Sequence, residues 1–140
     1  MLGDSGVGKT CLIQRFIEDQ YAGEEGTSPT LAWDFKVKAV SVDRPPSEKS
    51  DVALEDKELV RLYVWDTAGQ ERFRHIARMY YKDVCGVMLC FDLTDVESFK
   101  NLKYWIDDLH THAPDNVVKI LVGNKQDKST GENSARQVSL

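Results

Sequence analysis

Nowhere in the 140 residues does an apolar run reach the length needed to cross a bilayer. No basic-then-apolar leader opens the chain. Cysteine is scarce: Cys11, Cys85 and Cys90 are an odd set, which excludes a fully paired disulfide framework. With two of them inside an apolar run, they suit the reduced, buried thiols of an intracellular protein. Five positions apart on a strand, Cys85 and Cys90 would face opposite sides, which speaks against a shared metal. His110 and His112 lie beside Pro114 at the close of an amphipathic stretch and suit a solvated helix end better than a ligand pair. Basic charge is in deficit, with 18 Lys and Arg against 23 Asp and Glu and a net charge of −5. That disfavours nucleic acid as a partner, which calls for a basic face. Internal repeats and long low-complexity tracts are absent. What remains, 41% hydrophobic and 29% charged, is the composition of one globular domain over 1–140.

The richest stretch is Gly3-Asp4-Ser5-Gly6-Val7-Gly8-Lys9-Thr10, which fits G-x-x-x-x-G-K-[ST]. Gly3 and Gly8 let the backbone turn tightly, so successive N–H groups can converge on one anion. A helix that starts there adds the favourable end of its dipole. Lys9 supplies a cation at the β- and γ-phosphates, and the Thr10 hydroxyl is a candidate Mg²⁺ ligand.

Downstream, Leu12, Ile13, Phe16 and Ile17 fall at helical spacing, which predicts a helix from Lys9 to about Gln20. Tyr21 to Pro29 reads as a loop. Phe35 to Val42 alternates Phe35, Val37 and Ala39 with Lys36 and Lys38, a half-exposed strand. Residues 44–56 carry Pro45-Pro46 and mixed charges, a loop between strands. Leu59 to Trp65 is the next strand, and Glu71 to Tyr80 reads as irregular to helical. Val84 to Phe91 and Val117 to Val122 are apolar runs, expected to be strands buried on both faces. Between them Phe99, Leu102, Ile106 and Leu109 predict one amphipathic helix, with Glu97 near its start. Repeated strand–helix–strand order predicts an α/β fold: a doubly wound, mostly parallel sheet with helices on both faces.

Two further motifs follow strands. Asp66-Thr67-Ala68-Gly69-Gln70 places an acid at a strand end, where ligands bind in such folds. Asp66 is a candidate Mg²⁺ acid, acting through water. Gly69 lets its N–H approach a γ-phosphate, and the Gln70 amide can orient a water for in-line attack. Asn124-Lys125-Gln126-Asp127 supplies a carboxylate that can accept the adjacent N1–H and N2–H₂ donors of guanine, a pair that adenine lacks. Asn124 can tie this loop to the P-loop, and the Lys125 stem can cover the base. Asp127 therefore disfavours an ATPase.

Gly3–Thr10, Trp65–Arg74 (WDTAGQERFR) and Asn124–Asp127 together resemble a Ras-superfamily small GTPase, across essentially the whole chain. WDTAGQERFR, with Asp34-Phe35-Lys36 before it and Tyr80-Tyr81 after it, is similar to the Rab branch. The resemblance implies a P-loop NTPase fold, a GDP/GTP switch in vesicle traffic, and Mg²⁺ as cofactor. It also implies exchange factors, GTPase-activating proteins and effectors as partners on the cytosolic face of endomembranes. By it, the whole stretch from Gly3 through Cys11 contacts nucleotide, and Thr30 matches the switch threonine on Mg²⁺ and γ-phosphate. Phe35, Trp65 and Tyr80 match an aromatic effector surface, beside Trp33 and Phe73. Turnover should be slow, because the family takes its catalytic arginine from the activating protein despite Arg72 and Arg74 nearby.

The sequence departs from that pattern in four places. Ala32 stands where the family has glycine, and the bulky Trp33 follows it. No residue of the Tyr21–Pro29 loop is assigned to the aromatic that covers the ribose. The 44–56 loop reads as an insertion in a normally tight hairpin. Finally, the expectation is of truncation at both ends: most of the first strand, the last strand with its base loop, the final helices and the lipid-bearing cysteines lie outside the chain. The burial lost with a strand and a helix, at about 25 cal/mol per Å², rivals the whole stability of a domain. The expectation is thus marginal stability, with a fragment or non-hydrolysing module as the alternative to an active GTPase.

Overall fold

The computed structural model describes residues 1–21, 23, 30, 34–44, 57–67, 78–129 and 134–139. Most of the anticipated insertion (45–56) and the Glu71–Ala77 stretch lie outside the described residues.

Helix α1 spans Lys9–Glu18. It can begin directly at the P-loop because its N-cap, Gly8, takes φ 95°, a left-handed value open to glycine. It stops at Asp19, whose backbone N–H bonds to the Arg15 carbonyl. Strands β1 (Asp34–Asp43) and β2 (Lys57–Asp66) form an antiparallel pair with Phe35 opposite Trp65 and Val37 opposite Tyr63. The alternation in β1 marks a strand, but its apolar face is the open one: Phe35 is 46% and Val37 44% exposed. The lysine face turns towards α1 instead. Lys36 bonds Glu18 Oε1 at 2.6 Å, and Lys38 sits 4.5 Å over the Phe16 ring. Long lysine stems can cover apolar surface while their ammonium groups reach polar partners.

Strands β3 (Gly86–Asp92) and β4 (Val118–Asn124) pair in parallel. Parallel pairing needs a crossover, supplied by α2 (Val96–Lys100) and α3 (Leu102–His112). The single helix expected there is thus divided at Asn101. Asp95 caps α2, its carboxylate accepting the N–H groups of Glu97 and Ser98. The buried stripe is Leu102, Trp105 and Leu109, while Phe99 is 40% exposed and meets Phe91 edge-on at 5.0 Å. Trp105 and the β3 side chains Val87, Leu89 and Phe91 form the centre of the core.

Burial of both strands on two faces does not hold. Helices α2 and α3 pack against β3, yet Met88 remains exposed. In β4, Val118, Ile120 and Leu121 are all exposed. An apolar run therefore marked the strand correctly and its surroundings incorrectly. Cys85 is likewise exposed, one residue before β3, whereas Cys90 is buried and Cys11 half-buried.

Met1 and Leu2 stitch the two strand pairs together. Leu2 pairs in parallel with β3, donating to the Met88 carbonyl and accepting from the Cys90 N–H, each at 2.8 Å. On the other side the Met1 amino group donates to the Trp65 carbonyl at 2.8 Å, and the Thr67 hydroxyl donates to the Met1 carbonyl at 2.6 Å. The P-loop thereby starts between the carboxyl ends of β2 and β3.

Candidate functional site

Gly3, Gly6 and Gly8 of the P-loop all take positive φ, and at two of them a close approach also demands glycine. Gly3 has φ 141°, and a Cβ there would collide with the Cys90 carbonyl. A Cβ on Gly8 would collide with the Asn124 side-chain amide. Both close approaches join the loop to neighbouring strands. Val7 is buried, Ser5 is exposed, and Gly6 has open space at its Cβ position. Lys9 is buried, and its Nζ donates to the Gly3 carbonyl at 2.8 Å and the Asp4 carbonyl at 2.7 Å. Burial pushes its pKa down, opposed by the charge of Asp66. An anion seated in the loop would offset that desolvation. The Asp4 side chain turns away to accept from Asn101 Nδ2 at 2.7 Å and Trp105 Nε1 at 3.0 Å. Its part in holding phosphate is therefore left to its backbone.

Three oxygen-bearing side chains from separate segments meet beside Lys9. The Thr10 hydroxyl donates to Asp66 Oδ2 at 2.6 Å, and Thr30 Oγ1 lies 2.8 Å from Thr10 Oγ1. With the Thr10 proton committed to Asp66, Thr30 is the donor of the second bond. Asp66 is buried, and its Oδ1 has no hydrogen-bond partner among the described residues. A buried orphan carboxylate oxygen beside two hydroxyls is a hard, all-oxygen donor set of the kind that suits Mg²⁺.

At the other end, Asn124 closes β4 and donates its amide to the Val7 carbonyl at 2.8 Å. Lys125 follows in a left-handed conformation, φ 61°, and Asp127 lies on a 3₁₀ turn, Gln126–Lys128. Asn124, Lys125, Asp127 and Lys128 line one face of a cavity of about 390 Å³. Gly6, Cys11, Leu12, Arg15, Tyr21 and Gly23 line the rest. The cavity therefore lies between the P-loop with its helix and the Asn124–Asp127 loop.

The sequence model of the Ras family matches residues 1–140. The chain belongs to the Ras family. It is 46% identical over 127 residues to GTP-binding protein yptV2 of Volvox carteri, which covers 91% of this chain and 52% of that protein. It is 43% identical to Ras-related protein RABD2a of Arabidopsis thaliana, over 91% of this chain and 55% of that one. GTP-binding protein YPTM2 of Zea mays is 42% identical over the same shares. The chain spans about half the length of these curated relatives. Their names agree with the Rab-like resemblance, and the Ras-family fold is α/β as expected.

Within this Ras-family frame, Phe35, Trp65 and Tyr80 form a contiguous aromatic row. Ring centroids are 4.9 Å apart between Phe35 and Trp65 and 4.5 Å between Trp65 and Tyr80. Tyr63 extends it, 6.1 Å from Phe35. It was not singled out from the sequence, although residues two apart on a strand share a face. Gly69, Gln70, Arg72, Phe73, Arg74, Ala32 and Trp33 lie outside the described residues.

Sequence reasoning also left Tyr21 unassigned. It lines the cavity just beyond α1, two residues after the left-handed Asp19 that ends the helix. Asp92 escaped notice too, although it carries the signal used for Asp66, an acid at the end of a strand. It is buried and paired with Lys125 at 2.7 Å. Burial alone would raise its pKa, but hydrogen bonds from Lys125 and Thr94 outweigh that and hold it below the ordinary carboxylate value.

Proposed function

We propose that this chain carries the guanine-nucleotide site of a Rab-like molecular switch, with the reaction GTP + H₂O → GDP + phosphate. The observation that carries the reading is the cavity between the P-loop helix and the Asn124–Asp127 loop. Its lining, which includes Gly6 of the P-loop and Asp127, suits a nucleoside lying between a phosphate cradle and a base-reading carboxylate.

In this reading the backbone of Gly3 through Thr10 and the Lys9 ammonium hold the phosphates and stabilise charge that develops on them. Asp127 accepts the two guanine donors, with Lys125 along the base and Tyr21 opposite, at the rim. Cys11 lies beside the nucleotide at the first turn of α1. Thr10, Thr30 and Asp66 would hold Mg²⁺, which supplies charge neutralisation at the β- and γ-phosphates. Gly69 contributes an N–H, and Gln70 orients the attacking water. Release of the γ-phosphate relaxes the segments around Thr30 and Gln70, which changes the aromatic row at Phe35, Trp65 and Tyr80. Exchange factors, GTPase-activating proteins and effectors read that change. A C-terminal lipid anchor would bring such a switch to the cytosolic face of endomembranes.

The test is to purify the 140-residue chain, denature it and identify released nucleotide by chromatography. Near-stoichiometric GDP or GTP is expected, and a chain without guanine nucleotide overturns the reading. Gln70→Leu should then slow single-turnover hydrolysis with GTP binding unchanged.

A further inference from the structure

The pair Asp92–Lys125 has a geometry that goes beyond ordinary charge neutralisation. Asp92 ends β3 and Lys125 follows β4, so the pair bridges the carboxyl ends of two parallel strands. The carboxylate is divided between two tasks. Its Oδ1 accepts the Thr94 backbone N–H at 2.8 Å and the Thr94 hydroxyl at 2.7 Å. Its Oδ2 faces Lys125 Nζ at 2.7 Å. The strand end is fixed in turn by Ser98, whose Oγ accepts the Asp92 N–H at 3.0 Å and donates to the Asp95 carbonyl at 2.7 Å. The carboxylate is thus oriented before the lysine arrives, and its side chain is only 10% exposed.

Lys125 needs such an anchor. A lysine stem has several rotatable bonds whose freedom is lost when it is fixed. Its backbone sits in a left-handed conformation on a short loop, held on one side by the Asn124–Val7 bond. An ammonium fixed at the buried Asp92 leaves the methylene stem as the ordered wall of the cavity that Lys125 lines.

Building on the guanine-site reading above, we infer that Asp92 is a positioning residue that holds the Lys125 stem flat against the purine and so sets how long nucleotide stays bound. Asp92 itself does not touch the nucleotide. Its role thus differs from those proposed for Asp66, towards Mg²⁺, and Asp127, towards the base.

Two measurements test this. The first needs no nucleotide: the Asp92 carboxyl is titrated by ¹³C NMR in the parent chain and in Lys125→Met. The pKa of Asp92 rises in Lys125→Met if the pair forms, and an unchanged titration overturns the inference. The second is GDP dissociation. Asp92→Asn keeps the side-chain size and an oxygen for Thr94, so its fold should survive. It should release GDP about tenfold faster, the scale of one charge-assisted bond. In the Lys125→Met background the same substitution should change nothing, because the lysine it positions is gone. A purely structural role for Asp92 predicts equal acceleration in both backgrounds, and that result refutes positioning. Should Asp92→Asn fail to fold, Thr94→Val, which removes only one orienting bond, must accelerate release in the Lys125 background alone. A parent chain without bound guanine nucleotide sinks the functional reading, and this role with it, even where the titration shows the pair formed.

Discussion

Trp105 donates its indole N–H to Asp4 Oδ1 across 3.0 Å, joining the second residue of the P-loop to the most buried side of α3. Asn101 holds the other carboxylate oxygen. The phosphate loop is thereby fixed to the helix that crosses over β3. Trp105→Phe keeps an aromatic ring but deletes one donor to a charged group, a loss of about 1.5–3 kcal/mol, to which the cavity left by the larger buried indole adds. Chemical denaturation should show a lower midpoint with an unchanged slope. Combined with Asp4→Asn the losses should fall short of their sum, because both act on one network. Full additivity would show that the bond contributes nothing.

Asp66 leads to a metal-dependent expectation. Its Oδ2 is bonded to Thr10, while its buried Oδ1 is without a partner. A divalent cation that binds the folded chain raises its stability by mass action. Mg²⁺ should therefore raise the thermal midpoint relative to EDTA, and Asp66→Asn should remove most of that increment. Melting curves with and without Mg²⁺ decide the matter, and an equal increment in both proteins contradicts the proposed donor set.

How much of this was legible in the sequence differs between backbone and surroundings. The Asp66 and Asn124–Asp127 positions were readable because each closes or follows a strand, and the P-loop because its glycines, lysine and threonine keep a fixed spacing, with only Leu2 pairing as strand before it. Strand existence was readable from alternation and apolar runs. Which face is covered was not: Val37 and Ile120 are exposed although both patterns promised burial on one or two sides. Alternation specifies two faces without saying which one meets a helix, and Lys36 and Lys38 show that a charged face can be the covered one. Trp105 was hidden for a related reason. The spacing from Phe99 to Leu109 fixed a stripe that holds at Leu102 and Leu109, but it passed over Trp105, which is buried on the same helix. Asp92 and Tyr21 matter through contacts with residues far along the chain, which local spacing does not encode.

The aromatic row offers a prediction about partners. Phe35 and Trp65 are register partners, and Tyr63 lies diagonally across the same pair of strands. Cross-strand aromatic pairs contribute roughly 0.2–1 kcal/mol each to a sheet. Tyr63 is 58% exposed, so Tyr63→Ala should cost little stability. For an effector that docks on Phe35, Trp65 and Tyr80, the same change should weaken binding, as interfaces draw much of their energy from aromatic anchors. Calorimetric titration of the GTP-loaded protein with such an effector provides the check. Unaltered affinity would end the row at Phe35.

The three cysteines should separate by environment. Burial raises the Cys90 thiol from its ordinary 9.0 to about 11, so little thiolate forms near neutrality. Cys85 is exposed, and Cys11 lines the cavity half-buried. At pH 7.5, iodoacetamide should modify Cys85 first and Cys90 last, as peptide mass mapping will show. Cys11 is the informative one, because bound GDP should protect it while leaving the Cys85 rate unchanged. The same shift has a sign for stability. A thiol whose folded pKa exceeds its unfolded one favours the fold while both states are protonated, below about pH 9. That contribution fades as the unfolded chain ionises and is lost as pH rises through about 11. Replacing Cys90 with Ala should therefore flatten the fall in stability between those values, which denaturation measured across that pH range will show.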